Sequence, residues 1–197
     1  SVGRIMQTLD DTGQATNTIV FFTSDQGYAW GQHGYMGKIA PYDACIKAPL
    51  IVSSPIRFPQ GKVCNHPVNG PDIVRTFHAL AGIEPAIQMH GRDFSTLLKN
   101  PQADSWTTRP MLQVCTGSLY GEEAIAKALA NSEKTGNWKK FVVYDKPQTK
   151  AWLMLREGRY KYVRYMVPGY IEELYDLTAD PDELHNVIDD AACASVR

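Results

Sequence analysis

The chain has no apolar run approaching the roughly 20 residues that a bilayer-spanning helix needs. It has no charge excess either: 20 Lys and Arg stand against 21 Asp and Glu, a net charge of −1. Bulk electrostatics therefore direct it neither to nucleic acid nor to an anionic membrane surface. Cysteine is scarce, four residues in 197, and no two form a CxxC pair, so zinc-site spacing is absent. Cys45, Cys64, Cys115 and Cys193 allow three pairings, and the sequence leaves free thiols equally open. There is no internal repeat and no low-complexity tract. No leader-type segment is expected, since Ser1 passes straight into a helical pattern. What is present, 44% hydrophobic and 21% charged residues, is ordinary for a globular protein. A length of 197 residues suffices for one sizeable core or one and a half domains.

Val2, Ile5, Met6 and Leu9 recur at helical spacing, with Gly13 placed to end that helix. Two short runs rich in β-branched and aromatic residues, 18–22 and 50–52, read as buried strands. Pro71 opens a second helix in which Ile73, Val74, Phe77, Leu80 and Ala81 share a face, and Gly82 closes it. Pro85, Gly91, Pro101 and Pro110 then punctuate the chain and predict a boundary between residues 1–110 and 111–197. Beyond it, 111–114, 141–144, 152–155 and 159–164 read as strands and 122–130 as a short helix. The last two strands are predicted to form a hairpin across Glu157-Gly158. Tyr160 and Tyr162 alternate with Arg159, Lys161 and Arg164, which predicts one aromatic and one basic face on a half-buried antiparallel strand. Asp180-Pro181-Asp182-Glu183 predicts a helix start, with Asp as N-cap, Pro at N1 and Glu at N3.

The chemistry is concentrated between the first two strands. Ser24-Asp25-Gln26-Gly27 leaves the carboxyl end of a strand, where open α/β sheets bind ligands. A carboxylate, an amide oxygen and Lys38 a dozen residues on suit a hard cation held together with an anion. The plainer readings are an Asx turn for Asp25 and a solvated loop lysine for Lys38. His33, in the same loop, suits either contact with an anionic substrate and acid catalysis or a purely loop-stabilising role.

Ser24-Asp25-Gln26-Gly27, Gly31-Gln32-His33-Gly34, Gly37-Lys38, Tyr42 and Pro49-Leu50-Ile51-Val52 together resemble the sulfatase family of the alkaline-phosphatase superfamily. Further blocks follow in that family's order: 69–77 closed by 80–83, then His90-Gly91-Arg92-Asp93-Phe94 with Leu97-Leu98. Near the end come Glu173-Leu174-Tyr175-Asp176-Leu177, Asp180-Pro181-Asp182-Glu183 and Asn186. The resemblance implies an α/β fold: part of an alkaline-phosphatase-like mixed or parallel sheet layered with helices, plus a smaller C-terminal subdomain with an antiparallel sheet. It implies Asp25 and Gln26 as ligands of a divalent cation, most often calcium, and Lys38 as a contact to the sulfate. Gln26 departs from the Asn or His that the family more often has.

The family's formylglycine nucleophile, made from the Cys or Ser of C/S-x-P-S-R, has no counterpart here. The nearest string, Cys115-Thr116-Gly117-Ser118-Leu119, lacks both Pro and Arg, and Cys115 reads as an ordinary strand cysteine. The family's N-terminal Asp-Asp ligand pair also lacks a match, since neither Asp10-Asp11 nor Asp189-Asp190 follows a buried opening strand. The chain is therefore expected to represent the C-terminal half of a sulfatase, inactive alone, with the formylglycine on an N-terminal half or a separate chain. The implied substrate is a sulfated small molecule or glycan, and the implied setting periplasmic, secreted or lysosomal. Two alternatives stand beside this: a phosphonate or phosphodiester hydrolase of the same superfamily, and a non-catalytic binding or structural module.

Overall fold

The structure, a computed structural model, describes residues 1–119, 121–145 and 148–196. In chain order the first elements are α1 (Val2–Asp11), β1 (Val20–Thr23), β2 (Ala29–Trp30), β3 (Met36–Gly37), α2 (Asp43–Ile46) and β4 (Leu50–Ser53). They are followed by α3 (Gly70–Ala81), α4 (Ser95–Lys99), β5 (Met111–Cys115) and α5 (Glu122–Thr135). The last are β6 (Val142–Asp145), β7 (Gln148–Lys150), β8 (Trp152–Glu157), β9 (Tyr160–Tyr165) and β10 (Glu172–Asp176). Every strand pairing among the described residues is antiparallel. The chain divides into two compact units, Ser1–Asp25 with Ala48–Arg109, and Gln26–Lys47 with Pro110–Arg197.

In the first unit β1 and β4 pair from Val20↔Ser53 to Thr23↔Leu50. Their register brings Phe21 and Leu50 to a core of Phe94, Leu97, Ala103 and Trp106. Helix α3 starts with a reciprocal capping box: Asn69 accepts from the Asp72 amide and Asp72 accepts from the Asn69 amide. It ends at Gly82, whose φ of 66° is the left-handed conformation that glycine adopts without steric cost. Its most deeply buried positions are Asp72 and Thr76, whereas Val74 and Phe77 remain nearly half exposed. The apolar stripe expected at 73, 74, 77, 80 and 81 is thus rotated. Asp72 and Thr76 face inward because they hold the 92–94 segment, accepting from the Arg92 and Phe94 amides at 2.6 and 3.0 Å.

The second unit is built on a four-stranded sheet of order β10-β9-β8-β5. The β8–β9 hairpin forms as expected, but its register, Glu157↔Tyr160, makes Gly158-Arg159 the two-residue loop, with Gly158 at φ 54°. The sidedness of β9 is opposite to the aromatic-and-basic reading. Lys161, Val163 and Tyr165 point into the core, while Tyr160 and Tyr162 are half-buried. Residues 180–183 form a turn and not the expected helix start, with Glu183 buried at φ 58°. Helix α5 contributes Ile125, Ala128 and Leu129 to a cluster with Phe141 and Ala151. All four cysteines are free thiols, and Cys115 lies in β5.

Candidate functional site

Each candidate residue is set by local chain geometry. Asp25 lies one residue beyond the end of β1, after Ser24; it is exposed and accepts a hydrogen bond from Ser24 Oγ at 3.2 Å. Thr23 Oγ donates to the Pro49 carbonyl at 2.8 Å, which ties the end of β1 to the approach to β4. The two compact units divide at the Asp25–Gln26 peptide bond. On the other side, the Gln26 side-chain nitrogen donates to the Lys38 carbonyl. An amide that donates through its nitrogen presents its carbonyl oxygen on the opposite edge, as an acceptor or cation ligand.

Between Gln26 and Lys38 the chain makes the small β2–β3 hairpin, turning through residues 32–34. Gly31 and Gly34 take φ of 109° and 75°, and His33 itself adopts φ 53°, unusual for a residue with a Cβ. The contacts of His33 hold it there. Its ring stacks on Tyr42 at 3.8 Å and 6°, and Nε2 lies 3.0 Å from the Asp182 carbonyl. A carbonyl can only accept, so the Nε2 position carries the proton in this contact. Gly27 is confined: an added Cβ would stand 2.7 Å from the Lys47 carbonyl oxygen and 2.9 Å from that of Ala44. Gly27→Ala is expected to destabilise the protein by about 1–3 kcal/mol, read by urea denaturation, because both obstacles are backbone.

The loop is fastened to the sheet of its own unit. Trp152 Nε1 donates to the Ile39 carbonyl at 2.8 Å. Ala29, Ala40, Tyr42 and Cys45 form one buried cluster with Tyr175 of β10. Lys161, with no solvent exposure, places Nζ 2.9 Å from Asp43 Oδ1 and 2.5 Å from Glu183 Oε1. The Asp43 amide donates to Glu183 Oε2 at 2.5 Å. Burial pushes the Glu183 carboxyl up in pKa, against the lowering pull of the Lys161 ammonium. A cavity of about 650 Å³ is lined by Gln32, His33, Asp43, Lys47, Asp182 and Glu183, among others.

A second buried carboxylate lies alongside. Glu173 Oε1 accepts from Tyr42 and Tyr165 hydroxyls at 3.2 and 3.1 Å. Burial raises the Glu173 pKa, opposed by the donating tyrosines; burial first, then the Glu173 charge, raises those of Tyr42, Tyr165 and Tyr175. The hydroxyls therefore remain protonated donors. A carboxyl whose pKa is raised on folding contributes stability that is complete below its unfolded pKa and lost as pH rises through the folded one. The Tm difference between Glu173→Gln and the wild-type protein is therefore expected to shift in favour of the variant as pH rises from 4.5, the ordinary glutamate value. Thermal melts across pH 4–8 would contradict this if the difference were flat.

Asp25 and Gln26 offer one carboxylate and one amide oxygen, the donor type a hard cation takes. They fit calcium in kind but fall short of its usual six to eight or so oxygens. Among the described residues no group of three or more His, Cys, Asp or Glu is placed to hold a metal. Sequence reasoning missed Asp43, Lys161 and Glu183 as a cluster. One signal was available: Lys161 is in phase with Val163 and Tyr165, so a strand with that pair inward must bury the lysine.

The C-terminal model of the N-sulphoglucosamine sulphohydrolase family matches residues 31–114 and 118–197. N-acetylglucosamine-6-O-sulfatase of Bacteroides thetaiotaomicron is 25% identical over 194 residues, covering 98% of this chain and 30% of that protein. A solved structure in complex with its substrate, D-glucosamine-2-N,6-O-disulfate, superposes with a TM-score of 0.77 at 23% identity, covering 99% of this chain and 35% of that one. Phosphonate monoester hydrolase of Agrobacterium radiobacter gives a TM-score of 0.72 at 26% identity, covering 99% of this chain and 36% of that one. The chain thus adopts the α/β architecture of alkaline-phosphatase-like sulfatases and spans about a third of the length of the relatives it matches.

Proposed function

The chain belongs to the family of N-sulphoglucosamine sulphohydrolase C-terminal domains, and from that premise we propose that it is the cation- and anion-binding portion of a sulfuric ester hydrolase. The observation that carries this reading is the hydrogen bond from the Gln26 amide to the Lys38 carbonyl. It links the proposed metal ligand to the proposed sulfate contact through one short connection. Asp25 and Gln26 would hold a divalent cation, calcium by donor type, with its remaining oxygens supplied from outside the described cluster. When bound, the ion would neutralise charge developing on the transferring sulfuryl group. Lys38 binds a sulfate oxygen as a compact point charge. The carbonyls packed against Gly27 and the left-handed backbone of His33 fix the shape of the loop that leads to Lys38. The nucleophile belongs to the formylglycine motif that this sequence does not contain, so the part assigned to this chain is binding and charge stabilisation.

The substrate class proposed is a sulfated saccharide, in line with the sulfated glucosamine bound by the structural relative, and the setting proposed is periplasmic, secreted or lysosomal. The test is hydrolysis of glucosamine 6-sulfate and of an aryl sulfate by the whole protein that carries this chain, before and after calcium chelation. Calcium-dependent release of sulfate supports the reading; turnover insensitive to chelation and to Lys38→Ala overturns it. The second reading, a phosphonate monoester hydrolase, is favoured by the Agrobacterium structure. A kcat/KM for a phenyl phosphonate ester above that for the aryl sulfate would select it.

A further inference from the structure

A buried ion cluster needs a reason other than stability. Exchanging buried ion pairs for apolar residues of similar volume is often neutral or stabilising, whereas fixing one register among several is their best-attested use. Lys161 is wholly buried and takes its carboxylates from two distant points, Asp43 and Glu183. Sliding the 26–47 segment over the sheet by one residue would leave at least one of these charges buried and unpaired, which sharply penalises every alternative register.

We infer that the Lys161–Asp43–Glu183 cluster, together with the 180–183 turn, is a positioning device for the loop that carries Gln26 and Lys38. The connection runs through named contacts within one compact unit. Glu183 and Lys161 hold Asp43 by its amide and its carboxylate. The Asp182 carbonyl holds His33, and Trp152 holds the Ile39 carbonyl. Lys38 lies five residues from His33 and five from Asp43, so it is suspended between two fixed points. The Gln26 amide is in turn fixed on the Lys38 carbonyl. Both His33 and Glu183 adopt left-handed backbone, a conformation that persists in such residues where the surroundings over-determine it. The C-terminal sheet thereby sets the geometry of two site residues that it does not itself contain.

The catalytic consequence rests on the sulfatase reading; the positioning does not, and the experiment separates them. In the whole protein, Glu183→Ala removes the acceptor of the Asp43 amide while leaving Lys161 its partner Asp43. Hydrogen exchange of residues 26–47 is expected to accelerate at least about tenfold, with β8–β9 unchanged. Glu183→Gln, which keeps an oxygen for the Asp43 amide, is expected to restore most of the protection. The calcium concentration giving half-maximal aryl sulfate hydrolysis should rise at least about tenfold in Glu183→Ala, with kcat at saturating calcium falling far less. Unchanged exchange in 26–47, or acceleration spread equally over β8–β10, overturns the inference. If Glu183→Ala does not fold, Asp43→Asn, which preserves volume, is measured in the same way with the same two outcomes. If the wild-type protein hydrolyses neither a sulfate nor a phosphonate ester, the sulfatase reading falls and the exchange data alone decide the positioning.

Discussion

Asp25→Asn is expected to lower kcat/KM for sulfate-ester hydrolysis by the whole enzyme by about three orders of magnitude. The substitution keeps shape and leaves an oxygen to accept from Ser24 Oγ, the contact that Asp25 makes now. On the proposed metal role, what it removes is the formal negative charge that the carboxylate would bring to a hard cation. A bound metal contributes several kcal/mol of transition-state stabilisation, and a loss of about 4 kcal/mol corresponds to roughly 10³ in rate. Stability should hardly move, since Asp25 is exposed and surface changes usually stay within about 0.5 kcal/mol. Steady-state kinetics with calcium titrated over the assay, alongside a thermal melt, checks both halves. Activity within tenfold of wild type would remove Asp25 from the metal site, and a large fall in Tm would make its role structural.

The sequence was legible where one signal dominated. Pro71 and Gly82 mark the two ends of α3, and the structure adds a capping box at Asn69. Gly158 marks the β8–β9 hairpin, and the hairpin formed. The ordered motifs from Ser24 to Asn186 identified the family, which the match over 31–114 and 118–197 establishes. Legibility failed where a polar residue was drawn inward by a partner far along the chain. Lys161 reads as part of a solvent-facing basic stripe until Asp43 and Glu183 are brought to it, because nothing local announces a pair separated by 118 residues. Asp180-Pro181-Asp182-Glu183 carries the local pattern of a helix start, yet the helix does not form. Glu183 turns instead into left-handed backbone to reach the Asp43 amide and Lys161. The α3 stripe failed for the same reason, since Asp72 and Thr76 are turned inward by the 92–94 amides. For the candidate site, the sequence proposed residues and their order, but not the contacts of Asp43, Lys161 and Glu183 that hold their loop.

Lys161→Met supplies the sharpest test of those contacts at the level of stability. Methionine matches the lysine stem in length and fills the same buried space, so the change isolates the charge. It leaves the buried Glu183 and the partly buried Asp43 without their cation, and removing one partner of a buried pair costs about 3–5 kcal/mol. For a chain of this size each kcal/mol moves Tm by about 2–4 °C, so a fall of about 10 °C is expected. The Asp43→Asn/Lys161→Met/Glu183→Gln triple variant should recover most of it, because no buried charge is then left without a partner. The two carboxylates act as one unit with Lys161, so the three effects will not add. Circular dichroism melts of the single and triple variants decide the point. If Lys161→Met melts within about 3 °C of wild type, a shift of about 1 kcal/mol, the ammonium is not confined between the carboxylates. If the triple variant melts as low as the single one, packing and not charge is what Lys161 supplies.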